Sequence, residues 1–328
     1  MATQPFNAAA TVLQPYVFDL DREVAEFYRD HPEQKNRIFY IDGSTLPGAL
    51  YRGDEKDEDD VTEILGSNPA LLLNNKTAFE SGSRSDLYPK QGYGTVLLNL
   101  SKKNQQNLLG YTAPAGQSEA FVFDHETGHL LCEKGLDDNT NLGECVADAY
   151  AVLRHIQRFG KDSTAIRTLV GKRAVEMMLG GCGDHFTSPV VEKIIADSQK
   201  TDFSAMTPAE TVERAQRYAE DNAVETNLLR RMISDFGILN CGAADLVMKG
   251  DPGVIRYMAD FALHPTVPEE AKWAAIAVRT LLDGDVGIDG VRLQKPVGEE
   301  WTKLRQAIDA RTTKSSQPQP KLIIVSSL

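Results

Sequence analysis

Two patterns of apolar residues divide this sequence near residue 115. Before it, apolar positions come in short runs of the kind that form strands. Arg37-Ile-Phe-Tyr-Ile-Asp42, closed by Gly43, is one such run. Tyr93-Gly-Thr-Val-Leu-Leu-Asn-Leu100 is a second, and Leu71–Leu73 is a third candidate. The acidic stretch from Asp54 to Glu63 and the polar one from Glu80 to Asp86 read as solvated loops between them.

From Ser118 onward the apolar spacing becomes helical, and stop and start signals punctuate it. Ser118 is the expected cap of a helix running to about Lys134, with Gly135 as its stop. A second helix is expected from Leu142 to Phe159, ended by Gly160, and a third from Ser163 to Leu179, before Gly180-Gly181. Ser188-Pro189, Thr207-Pro-Ala-Glu210, Asp251-Pro252 and Val267-Pro-Glu269 each combine a capping residue or proline with a following helical run. Gly237 and Gly284 are expected stops, and a last helix fits Glu299 to Arg311.

The expected organisation is a mixed α/β part over 1–115, a helical core over 116–200, a helical C-terminal region over 201–311 and a flexible tail over 312–328. The fold class expected is α+β.

Charge and composition narrow the function classes. The net charge of −12 opposes a phosphate backbone, so nucleic acid is not an expected partner. No apolar run approaches the ~20 residues of a membrane span, and the N-terminal stretch lacks the basic and apolar regions of a secretory signal. A cytoplasmic location, away from membranes, is therefore expected. The four cysteines, Cys132, Cys145, Cys182 and Cys241, form no CxxC pair, which argues against a disulfide scaffold or a cysteine-rich zinc site.

The chemistry concentrates in Phe121-Val-Phe-Asp-His125-Glu126-Thr-Gly-His129-Leu-Leu-Cys132. Residues i and i+4 share a helix face, so His125 and His129 can direct two imidazoles at one ion. Glu126, one position round the helix, sits where it can take a proton from a metal-activated water. A third ligand is needed, and Glu144 supplies it from the next expected helix, across the polar turn 136–141. Asp148 shares the face of Glu144 and is the candidate to accept the second ring N–H of a ligating histidine.

With His125-Glu-Thr-Gly-His129 followed by Glu144-Cys-Val-Ala-Asp148, the segment 118–160 resembles the gluzincin branch of the zincin-like metallopeptidases. The metzincin extension is absent, because position 132 is Cys and position 135 is Gly. The resemblance implies a zincin-like core, zinc held by His125, His129 and Glu144, Glu126 as catalytic base, and hydrolysis of a peptide or protein substrate. It also implies a downstream histidine that stabilises the reacting oxyanion. His185, in Gly180-Gly-Cys-Gly-Asp-His185, fits that role best by context, with Tyr93 and Tyr150 as lesser candidates. Two other readings accompany it: a zinc-stabilised binding protein without catalysis, and a metal-free helical interaction protein. Asp283-Gly290 resembles a calcium loop only superficially, lacking acidic residues at the required positions, and reads as a turn. The strand at 93–100 is the candidate edge for pairing with an extended substrate.

Overall fold

The computed structural model describes residues 16–35, 37–42, 49–51, 58–60, 70–74, 94–98, 100, 109–110, 113–114, 116–132, 140–180, 183–236, 252–264, 268–284, 286–288, 291–292 and 295–315. Helices dominate these residues, and the sheet is small. Among them, no helix is long and apolar enough to cross a membrane.

The first element among the described residues is a helix, within the stretch expected to be mixed α/β but at a position where no helix was expected. This is α1 (Leu20–Asp30), capped by Asp19, whose side chain accepts from the Arg22 N–H. Its apolar residues are few and lie on one face, and Phe27 is buried there. Proline at position 32 follows its end at His31, which is itself buried rather than a surface residue.

The strands β1 (Ile38–Asp42), β2 (Ala49–Tyr51), β3 (Glu58–Asp60), β4 (Ala70–Asn74) and β5 (Gly94–Leu98) follow. β5 is the centre of a three-stranded sheet, parallel to β1 and antiparallel to β4. The expected edge strand is therefore flanked on both sides and offers no free edge to a substrate. β2 and β3 form an antiparallel ladder, so part of the acidic stretch expected to be a loop is strand.

Val96 and Leu98, two apart on one face of β5, are buried together with Phe27, Ile38, Val122 and Phe123. The last two belong to α2 (Gln117–Leu131). On its other side the same helix sends Phe121 into the main helical core. α2 is thus buried on most sides between sheet and helices, its polar residues Ser118, Asp124, His125 and Thr127 included. It starts one residue before Ser118. Gly116, with φ at +83°, occupies the cap, and a Cβ there would meet the Tyr16 carbonyl oxygen at 2.7 Å. The helix ends at Leu131 with Cys132 extended, and Lys134 and Gly135 lie outside the described residues.

Helix α3 (Thr140–Phe159) packs along α2 and stops at Gly160, whose φ is +86°. Next come α4 (Thr164–Gly180), a 3₁₀ turn at Gly183–His185, and α5 (Ser188–Ser198). α6 (Pro208–Asn222) opens with the expected capping box, Thr207 and Glu210 bonding reciprocally. α7 (Thr226–Phe236), α8 (Pro252–Leu263) and α9 (Pro268–Asp283) follow, the last stopped at Gly284 with φ +69°. Gly237 lies outside the described residues. β6 (Gly287–Ile288) and β7 (Val291–Arg292) pair antiparallel, so part of the stretch 283–290 expected to be a turn is strand, and residues 285, 289 and 290 lie outside the described residues. α10 (Glu299–Ser315) runs past Arg311 into the expected tail. α8 packs on α9, α9 on α4, and α6 on α3, so one helical core backs the α2–α3 pair.

Candidate metal centre

The i, i+4 spacing on α2 brings His125 and His129 together, with their Nε2 atoms 3.3 Å apart. Across from them α3 presents Glu144, whose Oε2 lies 3.4 Å from His125 Nε2 and whose Oε1 lies 3.6 Å from His129 Nε2. One ligand atom from each of the three lies within 4.8 Å of the others, a grouping that could hold a metal ion. His125 is buried, and His129 and Glu144 are half-buried.

A glycine inside the motif makes this approach close. A Cβ on Gly128 would sit 2.9 Å from Ala147 Cα and 3.1 Å from Tyr150 Cβ. The α2 backbone therefore rests directly on α3, one turn beyond Glu144.

Behind His125 stands Asp148, with no exposed surface. Its carboxylate receives His125 Nδ1 at 2.7 Å, Arg173 Nε at 2.9 Å, Arg173 Nη2 at 3.0 Å and Thr187 Oγ1 at 2.5 Å. Burial alone would raise its pKa, but Arg173 and His125 outweigh it and hold the group ionised far below the usual carboxylate range. An ionised Asp148 accepts only, so His125 Nδ1 carries the proton and Nε2 faces His129 and Glu144. Burial opposes the imidazolium of His125, yet Asp148 and Glu144 outweigh it and raise its pKa to about 10. Glu144 is also desolvated, but His125 brings its pKa down to about 2, helped by His185 and His129.

Glu144 Oε2 is buried and has no hydrogen-bond partner. A carboxylate oxygen withheld from water and from donors is costly, and a cation beside it removes the cost. Two imidazole nitrogens and that oxygen form a donor set that could hold a metal ion. The residues present fit a divalent metal ion.

Glu126 is half-buried beside His125 and is not one of the three grouped ligands. Burial raises its pKa, while His125 and His129 pull the other way. His185, in the 3₁₀ turn, brings its Nε2 to 3.5 Å from Glu144 Oε2, so the loop histidine is at the site. Burial lowers its pKa, and Arg173 adds to the effect.

Among the described residues, the other candidate histidines and Tyr150 are elsewhere. His155 is buried against Ser163, His264 is exposed, and Tyr150 is packed in the core. Tyr93, Cys182 and Cys241 lie outside the described residues, whereas Cys132 and Cys145 are free, buried thiols as expected. Four supporting residues escaped the sequence reading: Gly128, Asn141, Arg173 and Thr187. Only Arg173 left a signal, as half of the Lys172-Arg173 dibasic pair. No protein-family model, curated protein or solved structure matches the chain.

Proposed function

We propose that this protein is a zinc-dependent hydrolase of peptide or other amide bonds, with a zincin-like core and a gluzincin-type ligand set. The observation that carries the reading is the convergence of His125 and His129 from one helix with Glu144 from the next, beside a non-ligating Glu126. Bound there, zinc would polarise a carbonyl and lower the pKa of a water toward neutrality.

The chain's own residues supply the rest. Asp148 keeps the His125 ring in the tautomer that presents Nε2. The Glu126 carboxylate takes the proton of the attacking water and passes it to the departing amine. Its burial suits the second task, since a carboxyl with a raised pKa holds a proton longer. His185 directs its ring toward the same space and offers an N–H to the carbonyl oxygen as negative charge develops.

The test uses purified full-length protein and a broad peptide library, with products read by mass spectrometry. Cleavage should stop when a chelator removes the metal and return when zinc is restored. One zinc per chain with no cleavage anywhere in the library would replace the enzyme with a zinc-stabilised binding protein. Absence of bound metal after zinc loading would remove both.

A further inference from the structure

Asn141 occupies the first turn of α3, three residues before Glu144, and its side chain is buried. Its Nδ2 donates to the carbonyls of Gly183 at 3.0 Å, Asp184 at 3.0 Å and Phe186 at 3.3 Å. Those three carbonyls bracket His185. A side-chain amide has two N–H protons, so one of them is shared between two of the three carbonyls, and one group spans the 3₁₀ turn. On the other side of Glu144 the same loop is tied down again, by Thr187 Oγ1 to Asp148. The loop therefore crosses the turn of α3 that carries Glu144, fixed four residues after it and three residues before it.

His185 needs this, because its side chain is 40% exposed and packing alone does not fix it. Its Nε2 reaches 3.5 Å from Glu144 Oε2 because the backbone beneath it is held. The Gly183 carbonyl also accepts from the Phe186 N–H at 3.1 Å, and Asn141 adds a side-chain donor to it and to the carbonyls of Asp184 and Phe186.

We propose that Asn141 is a positioning residue: its amide fixes the 183–186 backbone and so aims His185 into the metal centre. The kinetic consequence rests on the hydrolase reading above; the structural one does not.

The informative variant is Asn141→Asp, nearly isosteric, which faces three carbonyl oxygens with a carboxylate in place of a donor. Zinc-loaded wild type, N141D, H185A and the double variant are compared in three ways. Amide exchange of the 181–188 peptide should quicken at least about tenfold in N141D, with α2 unchanged, since only the loop is released. Zinc affinity should stay within about threefold of wild type, below the ~10–100-fold loss expected when a ligand's supporting group is removed. On the best peptide found, kcat should fall in N141D as it falls in H185A, with KM little changed, and the double variant should be no slower than H185A.

Unchanged loop exchange would overturn the proposal. So would rate losses that multiply in the double variant, or a zinc affinity that falls in step with the rate, because Asn141 would then act through Glu144. If wild type cleaves nothing, the hydrolase reading fails, while exchange and zinc affinity still decide the role of Asn141. Should N141D not fold, Asn141→Ala withdraws the donor without adding charge and carries the same comparisons.

Discussion

Arg173 meets Asp148 with two hydrogen bonds, Nε to Oδ2 at 2.9 Å and Nη2 to Oδ1 at 3.0 Å, in the interior behind the metal-ligand helices. Such a fork fixes the carboxylate plane as well as its charge. With Thr187 and His125 added, Asp148 spends its acceptor capacity on orienting its neighbours.

This division of labour gives an order of effects. Asp148→Asn preserves size but weakens the hold on His125, and zinc affinity should fall about 10–100-fold. Glu144→Ala and His129→Ala remove ligand atoms and should lose more. Competition against a calibrated chelator measures all three. A smaller loss in Glu144→Ala than in Asp148→Asn would reverse the assignment. Arg173→Met removes one partner of a buried ion pair, leaving Asp148 only His125 and Thr187, and should cost stability of up to about 3–5 kcal/mol.

Gly128 makes a second, opposite-signed case. In an ordinary helix interior, Gly→Ala stabilises by roughly 0.5–1 kcal/mol. Here the new methyl would stand 2.9 Å from Ala147 Cα, which is backbone and cannot rotate away. Overpacking of that kind costs about 1–3 kcal/mol, so Gly128→Ala should lower the melting temperature. It should also weaken zinc binding, because pushing α2 from α3 draws His125 and His129 away from Glu144. A variant that melts higher and binds zinc normally would show that the two helices do not need this contact.

The grouping of His125, His129 and Glu144 was legible because the four-residue spacing fixes the histidine pair on one helix, and the next helix, packed along it, brings Glu144 opposite. Thr207 with Glu210, Gly160 and Gly284 were legible for the same reason, each acting within a turn or two of itself. α1 was also legible in principle, since Leu20, Val24, Phe27 and Tyr28 fall at helical spacing and share one face, but they are outnumbered by the Asp, Arg and Glu between them. The edge assignment of β5 failed because strand order depends on partners distant in sequence. Asn141 was read as part of a polar linker. Its bonding partners lie more than forty residues away, and periodicity carries no trace of them. The same holds for Arg173 against Asp148, twenty-five residues apart.

Two histidines give the metal-free protein opposite pH dependences. An unfolded histidine titrates near ~6.5. His125 is raised to about 10, so the folded state binds more protons above pH ~6.5, and its contribution to stability is lost as pH rises toward 10. His155 is lowered to about 3 by burial, with Arg158 adding to it, so the unfolded state binds more protons below pH ~6.5 and stability falls as pH drops toward 3. Thermal unfolding of chelator-treated protein should therefore peak near pH 6.5. Saturating zinc should abolish the alkaline fall, because the ion replaces the His125 Nε2 proton, with release of about one proton per zinc in calorimetry across buffers. A metal-free protein equally stable at pH 6.5 and 9 would contradict this account of His125.

The final prediction concerns Glu126. It neighbours His125 in sequence, so the helix turns it beside the ligand pair, and it is absent from the group of atoms that could hold the ion. Glu126→Gln keeps the shape, the helix and all three ligands. Zinc affinity and melting temperature should therefore match wild type closely. The amide cannot accept a proton from water, so hydrolysis should fall by about 10²–10⁴-fold, the range for loss of a general base. KM should change little, since the proton transfer belongs to the transition state and not to substrate binding. Parallel loss of zinc would make Glu126 a ligand or a structural support, contrary to its place on the helix. Identical products at an identical rate would mean that the base is another residue, or that the activity comes from a contaminant. Loss of rate with zinc retained is the outcome that ties the chemistry to this side chain.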